Sequence, residues 1–149
     1  MSDESLTADF HLSEFLHSDK AVRLGLDNTP DANVLGAIRN FLAPGMQEVR
    51  NLLGVPINVS SGYRSPQVNA AVGGARNSQH LQGLAADFTA PSFGSPIQIA
   101  RAIAASNIQF DQLIQEGTWV HVSFSANPRR SVLTAKFTNG VASYLPGLV

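Results

Sequence analysis

Hydrophobic residues in the first third of the chain recur at the spacing of an α-helix. The pattern predicts one main helix that begins after Asp31, which we expect to cap it, and ends at Gly54. Pro44 falls inside this pattern, so we expect a kink or a break there. Two shorter helices are predicted upstream, one capped by Ser13 and one that is capped by Asp19 and runs to Leu24. The residues that carry the main pattern are Val34, Leu35, Ile38, Leu42, Met46, Val49 and Leu53.

Short strand patterns dominate the rest of the chain. Apolar residues alternate or cluster over 56–60, 84–88, 110–114, 119–124, 132–137 and 141–144. Ser65-Pro66 and Ser95-Pro96 open two further helices, because proline is favoured in the first helical turn. Helices come mainly first and strands mainly last, which predicts an α+β fold with N-terminal helices packed on a mainly antiparallel sheet. We expect residues 1–149 to form a single domain, with 1–11 as a loose N-terminal lead-in.

Composition narrows the class of protein and the class of metal site. The 149 residues suit one core, and 44% hydrophobic with 14% charged residues is typical of a globular protein. A net charge of -1 gives no electrostatic reason to expect nucleic acid as a partner. With no cysteine, any metal must be held by imidazole and carboxylate groups.

The N-terminal residues and the hydropathy bear on location. Residues 1–9 are polar and acidic and lack the pattern of a signal peptide. No apolar run approaches the roughly 20 residues that span a membrane. We therefore expect a protein that is made in the cytoplasm and does not insert into a membrane. It would reach any target outside the cytoplasm by another route. We also expect a monomer.

Asp87 is the first residue that suggests a metal site. It lies among apolar residues in a predicted strand, and a buried carboxylate is costly unless it is paired or bound to a metal. His80 comes before Asp87 in the sequence, and Gly83 between them allows the chain to reverse its direction sharply. A ligand before the turn can therefore meet a ligand after it.

His121 is the second residue that suggests a metal site. It lies in a strong strand pattern, where alternation puts Trp119, His121 and Ser123 on one face that would line a cleft. Two histidines and one carboxylate leave a coordination position open, which is typical of a catalytic rather than a structural zinc. The alternative is that His121 is a hydrogen-bonded core histidine, and by pattern alone that interpretation is the stronger. His11 and His17 are interpreted as surface or helix-end histidines.

These residues resemble the zinc D-Ala-D-Ala carboxypeptidase family, which shares a superfamily with the lysostaphin-type peptidases and the hedgehog signalling domain. The resemblance rests on the His80–Asp87 spacing, with its intervening glycine, and on the later Trp-x-His at 119–121. Other segments, in the right order, resemble the small single-domain branch that is common in phages and bacteria. They are Leu12–Phe15, Asp27–Pro30, Ser60–Pro66, Asn77–His80 and Phe110–Ile114.

The resemblance implies roles for several residues. The zinc ligands of the family correspond to His80, Asp87 and His121, which would hold one Zn²⁺ ion. Its arginine that positions the substrate and steadies the oxyanion corresponds to Arg64, and a guanidinium can grip such groups bidentately. Tyr63 and Trp119 are candidate substrate-binding residues, with core packing as the alternative for each. Gln79 is a candidate for orienting His80 or for contact with the substrate peptide.

The general base departs from the pattern of better-known relatives, which often carry an acid three residues before the last histidine. Thr118 stands there and cannot accept a proton at neutral pH. Glu116 is our candidate, provided that a turn or bulge at Gly117 aims it at the site. Asp111 is the second candidate base; it and Ser78 are also candidates for holding a ligand histidine in place.

The leading hypothesis is a zinc peptidase that acts on peptidoglycan stem peptides or cross-links. It covers a DD-carboxypeptidase, a DD-endopeptidase and a phage endolysin released to the cell wall. The absent acid at position 118 motivates a second hypothesis, a cell-wall-binding or virion module that retains zinc without catalysis. An amidase of small molecules is a third, because fold and ligands do not determine a substrate.

Overall fold

The computed structural model describes residues 3–149, which form helices on one face of a single sheet. The helices are α1 Leu12–Leu16, α2 Asp19–Leu24, α3 Ala32–Ala37, α4 Ala43–Leu53, α5 Pro66–Ala71 and α6 Pro96–Ala104. The strands are β1 Asn58–Ser61, β2 Ala85–Thr89, β3 Gln112–Gln115, β4 Val120–Ser123, β5 Ser131–Thr138 and β6 Val141–Pro146. Every strand region predicted from the sequence is present.

The sheet has six strands in the order β1-β2-β4-β3-β5-β6. All neighbouring pairs are antiparallel except β3 and β5, which are parallel. The predicted α+β class with a mainly antiparallel sheet is therefore confirmed. Strands β2 and β4 lie side by side although α6 and β3 separate them in sequence, and this pairing brings distant polar residues together.

The main helical segment begins and ends where its pattern predicts. Asp31 caps it with its side chain, and Gly54 ends it with a left-handed φ of 70°. The interruption expected at Pro44 takes the form of a π-helical turn over Ile38–Leu42, just before the proline. Within this turn the N–H of Ala43 bonds to the carbonyl five positions earlier. A wider turn accommodates a proline ring that has no N–H to donate.

The caps predicted for the two short helices were wrong by one or two residues. His11, not Ser13, occupies the cap position of α1, because its backbone is extended and its N–H donates to Glu14 Oε2 at 2.7 Å. Helix α2 covers Asp19–Leu24 as predicted, but Ser18 is the residue that caps it.

The N-terminal segment is not the loose lead-in that we expected. Over its described part, Phe10 is only 1% exposed and belongs to the core. Glu4 pairs with Arg39 at 2.7 Å and accepts a backbone hydrogen bond from Leu12. Burial of a large aromatic side chain offsets the conformational entropy lost by ordering this segment.

One core lies between the helices and the sheet. Val120 and Val122 of β4 are buried in it, as their alternation predicts, so the residue between them points away from the helices. Other core members are Phe15, Ile38, Leu42, Met46, Val49, Phe88, Ile99, Ile103, Phe110 and Leu113. Over residues 3–149 no helix has the length and apolar character needed to cross a bilayer.

Candidate metal centre and cleft

His80, Asp87 and His121 converge at the centre of the sheet. Asp87 on β2 and His121 on β4 are direct partners in the antiparallel register, with Oδ1 and Nδ1 separated by 3.0 Å. His80 lies in a 3₁₀ turn over Gln79–Gln82, and its Nε2 is 3.3 Å from the same Asp87 oxygen. The three candidate ligand atoms all lie within 4.8 Å of one another.

Two glycines bring His80 to this position. Gly83 ends the 3₁₀ turn with φ 73°, and a Cβ there would come 2.9 Å from Val34, so the sharp return predicted from the sequence needs glycine. The carbonyl of Gly62 lies 2.7 Å from His80 Nδ1. Since a carbonyl only accepts, Nδ1 carries the hydrogen and Nε2 presents its lone pair to Asp87 and His121.

The geometry of the cluster fits a metal ion. Ligands about 2.0–2.1 Å from a tetrahedral zinc lie about 3.3 Å apart. The 3.0 Å and 3.3 Å separations within the cluster are close to that value. A backbone carbonyl bonded to the far nitrogen of a histidine is also the usual arrangement around a metal-binding imidazole. The donor set of two imidazoles and one carboxylate is that of a catalytic zinc site.

Asp87 is ionised in this environment. Its burial opposes the charged form, but the adjacent imidazoles of His121 and His80 outweigh that cost. Together they hold the pKa of the Asp87 carboxyl well below its usual range. A carboxylate that stays charged at neutral pH is ready to bind a cation without first losing a proton.

The cluster lies at the floor of a cleft of about 780 Å³. Side chains from the sheet and from the 72–80 loop line it. They include Arg64, Gln79, His80, Asp87, Gln112, Ile114, Glu116, Trp119, His121, Arg129, Leu133, Phe137 and Tyr144. The cleft therefore holds both candidate catalytic residues predicted from the sequence, Arg64 and Glu116, beside the three candidate ligands.

Glu116 is positioned by the turn between β3 and β4. Gly117 has φ 87°, and the N–H of Glu116 bonds to the carbonyl of Trp119 at 3.0 Å, so the turn that the sequence required is present. The indole Nε1 of Trp119 donates to Glu116 Oε2 at 2.6 Å. Burial, together with the charge of Asp87, raises the pKa of Glu116 above its ordinary value, although His121, Trp119 and Arg64 act against this.

Arg64 lines the cleft and carries a buried donor that has no partner among the described residues. Its backbone N–H bonds to the carbonyl of His80 at 3.0 Å, which ties it to the ligand turn. Its Nε is buried, and among the described residues nothing accepts a hydrogen bond from it. Burial lowers the pKa of Arg64, while the charges of Asp87 and Glu116 act in the opposite direction. A buried unpaired donor is costly, which makes the guanidinium of Arg64 a candidate for contact with an acceptor that enters the cleft.

Ser78, Gln79 and Asp111 support the cleft in different ways. Ser78 Oγ accepts from the N–H of His80 at 3.2 Å and so caps the ligand turn. Gln79 lines the cleft and donates to Asp111 Oδ2 at 2.9 Å. Asp111 is not the partner of a ligand histidine that we expected, because the Gly62 carbonyl bonds to His80 instead. It is buried, and its oxygens accept from Gln79 and from Arg129.

Two predicted cleft residues lie elsewhere. Tyr63 is 6% exposed and belongs to the core, which is the alternative that was left open for it. Successive residues of an extended segment point to opposite sides, and Arg64 takes the cleft side. Ser123 was expected beside His121 but is fully buried, where its hydroxyl accepts from the N–H of Gln112.

One wall of the cleft was not predicted from the sequence. It is formed by Arg129, Leu133, Phe137 and Tyr144. The strands β5 and β6 were predicted, but their place beside the cleft depends on the parallel pairing of β5 with β3. The one local signal was the alternation of Leu133, Ala135 and Phe137 with polar neighbours, which marks an apolar face.

Comparison with known proteins agrees with this geometry. Residues 8–123 match the sequence model of the family described as Peptidase M15. A stretch of 73 residues, 48% of the chain, is 42% identical to a zinc D-Ala-D-Ala carboxypeptidase from Streptomyces albus G. The matched stretch spans only 28% of the length of that relative.

Proposed function

Since the chain belongs to the peptidase M15 family, we propose that it is a zinc-dependent peptidase that hydrolyses an amide bond in bacterial peptidoglycan. The observation that carries this proposal is the shared cleft. Its floor holds the cluster of His80, Asp87 and His121, and its walls hold Glu116 and Arg64. The name of the Streptomyces albus G relative, a zinc D-Ala-D-Ala carboxypeptidase, supports both the metal and the class of substrate.

In this proposal His80 Nε2, Asp87 Oδ1 and His121 Nδ1 hold the single zinc ion. When bound, zinc acidifies water toward neutrality and polarises a carbonyl, which is the chemistry that amide hydrolysis needs. Asp87 reduces the charge of the ion, and the Gly62 carbonyl keeps the His80 ring in the tautomer that can bind it.

Glu116 is the proposed general base. It would accept a proton from the attacking water and then donate it to the leaving amine. The Trp119 indole holds one oxygen, Oε2, which leaves Oε1 to handle the proton. Burial raises the pKa of Glu116 and brings it closer to the working pH, where a base is most effective.

Arg64 is the proposed anchor for the substrate. Its guanidinium lines the cleft and would donate either to the carboxylate of the substrate or to the oxyanion that develops during attack. Because the Arg64 backbone is bonded to His80, the anchor and the ligand turn hold a constant spacing. A substrate held by Arg64 would then lie at a constant distance from the metal site, and efficient attack on its carbonyl depends on such positioning.

The finer assignment is a cell-wall hydrolase of the DD-carboxypeptidase, DD-endopeptidase or endolysin type. The presence of Glu116 in the cleft favours catalysis over the non-catalytic module, because it supplies the acid that position 118 lacks. The test is digestion of purified peptidoglycan by zinc-loaded protein, followed by mass analysis of the fragments.

We expect fragments that identify one cleaved peptide bond, and no fragments after the zinc is stripped with a chelator. Release of D-alanine alone would assign a carboxypeptidase, whereas separation of cross-linked peptides would assign an endopeptidase. Intact peptidoglycan after treatment with zinc-loaded protein would contradict the proposal and leave the binding-module hypothesis in its place.

A further inference from the structure

The hairpin formed by β5 and β6 lines the cleft but lies outside the stretch that matches the family model. The family match ends at residue 123, whereas the hairpin covers residues 131–146. Four of its side chains face the cleft, namely Leu133, Phe137, Ala142 and Tyr144. Whatever this wall contributes is therefore additional to the stretch that matches the family model.

The cleft side of the hairpin is apolar and accessible. Phe137 pairs with Ala142 and Tyr144 with Ala135 in the antiparallel register, which puts all four on one face. Phe137 is 52% exposed and Tyr144 is 51% exposed. Two half-exposed aromatic side chains beside the small Ala142 form a shallow apolar surface that a substrate can cover.

The sheet holds this surface in a constant position relative to the candidate base. Strand β5 pairs in parallel with β3, and β3 leads directly into the turn that carries Glu116. At the far end, Asn139 and Gly140 both have positive φ, which is the tight turn that joins twisted strands closely. The hairpin is therefore an extension of the catalytic sheet, not a separate loop.

The phenol of Tyr144 lies in the same cleft as Glu116 and Asp87. Burial raises the pKa of Tyr144, and the negative charges of Glu116 and Asp87 raise it further. The hydroxyl is thus protonated at neutral pH and available as a hydrogen-bond donor. A peptide in the cleft offers carbonyl oxygens at regular intervals as acceptors.

We propose that the β5–β6 hairpin is the specificity-determining wall of the cleft, where Tyr144 donates a hydrogen bond to the substrate peptide and Phe137 packs against its small apolar side chains. This inference rests on the proposed function, because it takes a peptidoglycan stem peptide as the occupant. This wall is continuous with the floor that carries His121 and with the wall that carries Glu116, which supports that occupant.

The test is a binding titration that needs no turnover. Trp119 is the only tryptophan in the chain and lines the cleft, so its fluorescence reports occupancy. The background is zinc-loaded Glu116→Gln, and the probe is a soluble peptide that ends in D-Ala-D-Ala. The variants are Tyr144→Phe and Phe137→Ala. The controls are Leu145→Ala and Val141→Ala, which alter exposed residues of β6 that lie on the opposite face.

Tyr144→Phe is expected to weaken binding by about three- to tenfold, the loss of one hydrogen bond. Phe137→Ala is expected to weaken it by a similar factor, while both controls stay within about twofold of the background. Equal zinc content and equal thermal midpoints exclude misfolding as the cause. Unchanged affinity in both hairpin variants, or a background protein that does not bind the peptide, would overturn the inference.

The outcome is separable from that of the proposed function. If wild-type protein cleaves peptidoglycan while the hairpin variants bind normally, the inference fails and the function stands. If the variants lose affinity but wild type cleaves nothing, the hairpin still binds peptide and the peptidase proposal fails.

Discussion

Asp87 and His121 lie directly opposite each other on neighbouring antiparallel strands, and Oδ1 of the aspartate is 3.0 Å from Nδ1 of the histidine. The same oxygen is 3.3 Å from His80 Nε2. One carboxylate oxygen therefore lies within hydrogen-bond distance of two imidazoles. The register of the sheet, not a flexible loop, determines the distance between Asp87 and His121. A site built on paired strands is held with little freedom to relax.

Asp87→Asn tests the charge of this carboxylate. The amide keeps the shape but removes the negative charge, so zinc affinity is expected to fall by at least about a hundredfold. Competition with a coloured zinc chelator measures the change. Asp19→Asn is the matched control, since Asp19 is 87% exposed and lies far from the cleft in sequence and on another element. Equal affinity in the two variants would remove Asp87 from the site.

Gly62→Ala tests the support behind His80. A Cβ at this position would lie 2.5 Å from the carbonyl oxygen of Phe15, so the backbone must shift. The shift would move the carbonyl that bonds to His80 Nδ1, and we expect zinc affinity to fall by about 10- to 100-fold. Overpacking should also lower the free energy of unfolding by about 1–3 kcal/mol.

Gly36→Ala is the control for that change. Gly36 lies in α3, and a Cβ there meets nothing within 4 Å. It is expected to leave zinc affinity unchanged and to raise the free energy of unfolding by about 0.5–1 kcal/mol. If Gly62→Ala behaves in the same way in a zinc titration and in chemical unfolding, the contact with Phe15 does not position His80.

Trp119→Phe tests how Glu116 is tuned. The indole donates to the carboxylate and so favours its charged form. Without that bond, the pKa of Glu116 should rise further above its ordinary value. Since the base must be ionised to act, the acid limb of the kcat/KM profile should move to higher pH. An acid limb that does not move would show that the hydrogen bond leaves the base unaffected.

Asp111→Asn tests the network on the rim of the cleft. Arg129 and Gln79 hold the pKa of Asp111 below its ordinary value, chiefly through the Arg129 hydrogen bonds. The stabilisation is therefore present above the unfolded pKa of about 3.9 and is lost as the pH falls through the lower folded value. At pH 7 we expect the variant to lose about 1–3 kcal/mol of unfolding free energy.

The difference between Asp111→Asn and wild type should then shrink as the pH drops below about 4, where Asp111 of the unfolded chain gains its proton before that of the folded protein. Urea unfolding at pH 7 and pH 3 measures both values. A difference that is constant across this range would contradict the pairing of Asp111 with Arg129.

The floor of the cleft could be predicted from the sequence because its signals are local. A carboxylate among apolar residues at Asp87, and a histidine between two buried valines at His121, are each visible in a short segment. The turn at Gly117 followed from the need to aim Glu116. Each of these features depends on alternation or on the conformational freedom of glycine, which a few residues express.

The walls could not be predicted in the same way. The place of Tyr144 beside the cleft depends on the parallel pairing of β5 with β3, which no single segment encodes. The positions of Tyr63 and Ser123 depend on which side of an irregular strand end faces the core. Asp111 was predicted to contact a ligand histidine. Its carboxylate instead accepts hydrogen bonds from Arg129.

The central claim is that one zinc ion on His80, Asp87 and His121 works with Glu116 as the base. The most direct test measures zinc content and peptidoglycan cleavage together in wild type, Glu116→Gln and His121→Ala. We predict one zinc per chain in the first two proteins and a loss of zinc in the third. Cleavage should fall by about 10²–10⁴-fold in Glu116→Gln and be absent in His121→Ala. Full cleavage by Glu116→Gln, or by His121→Ala without metal, would contradict the account.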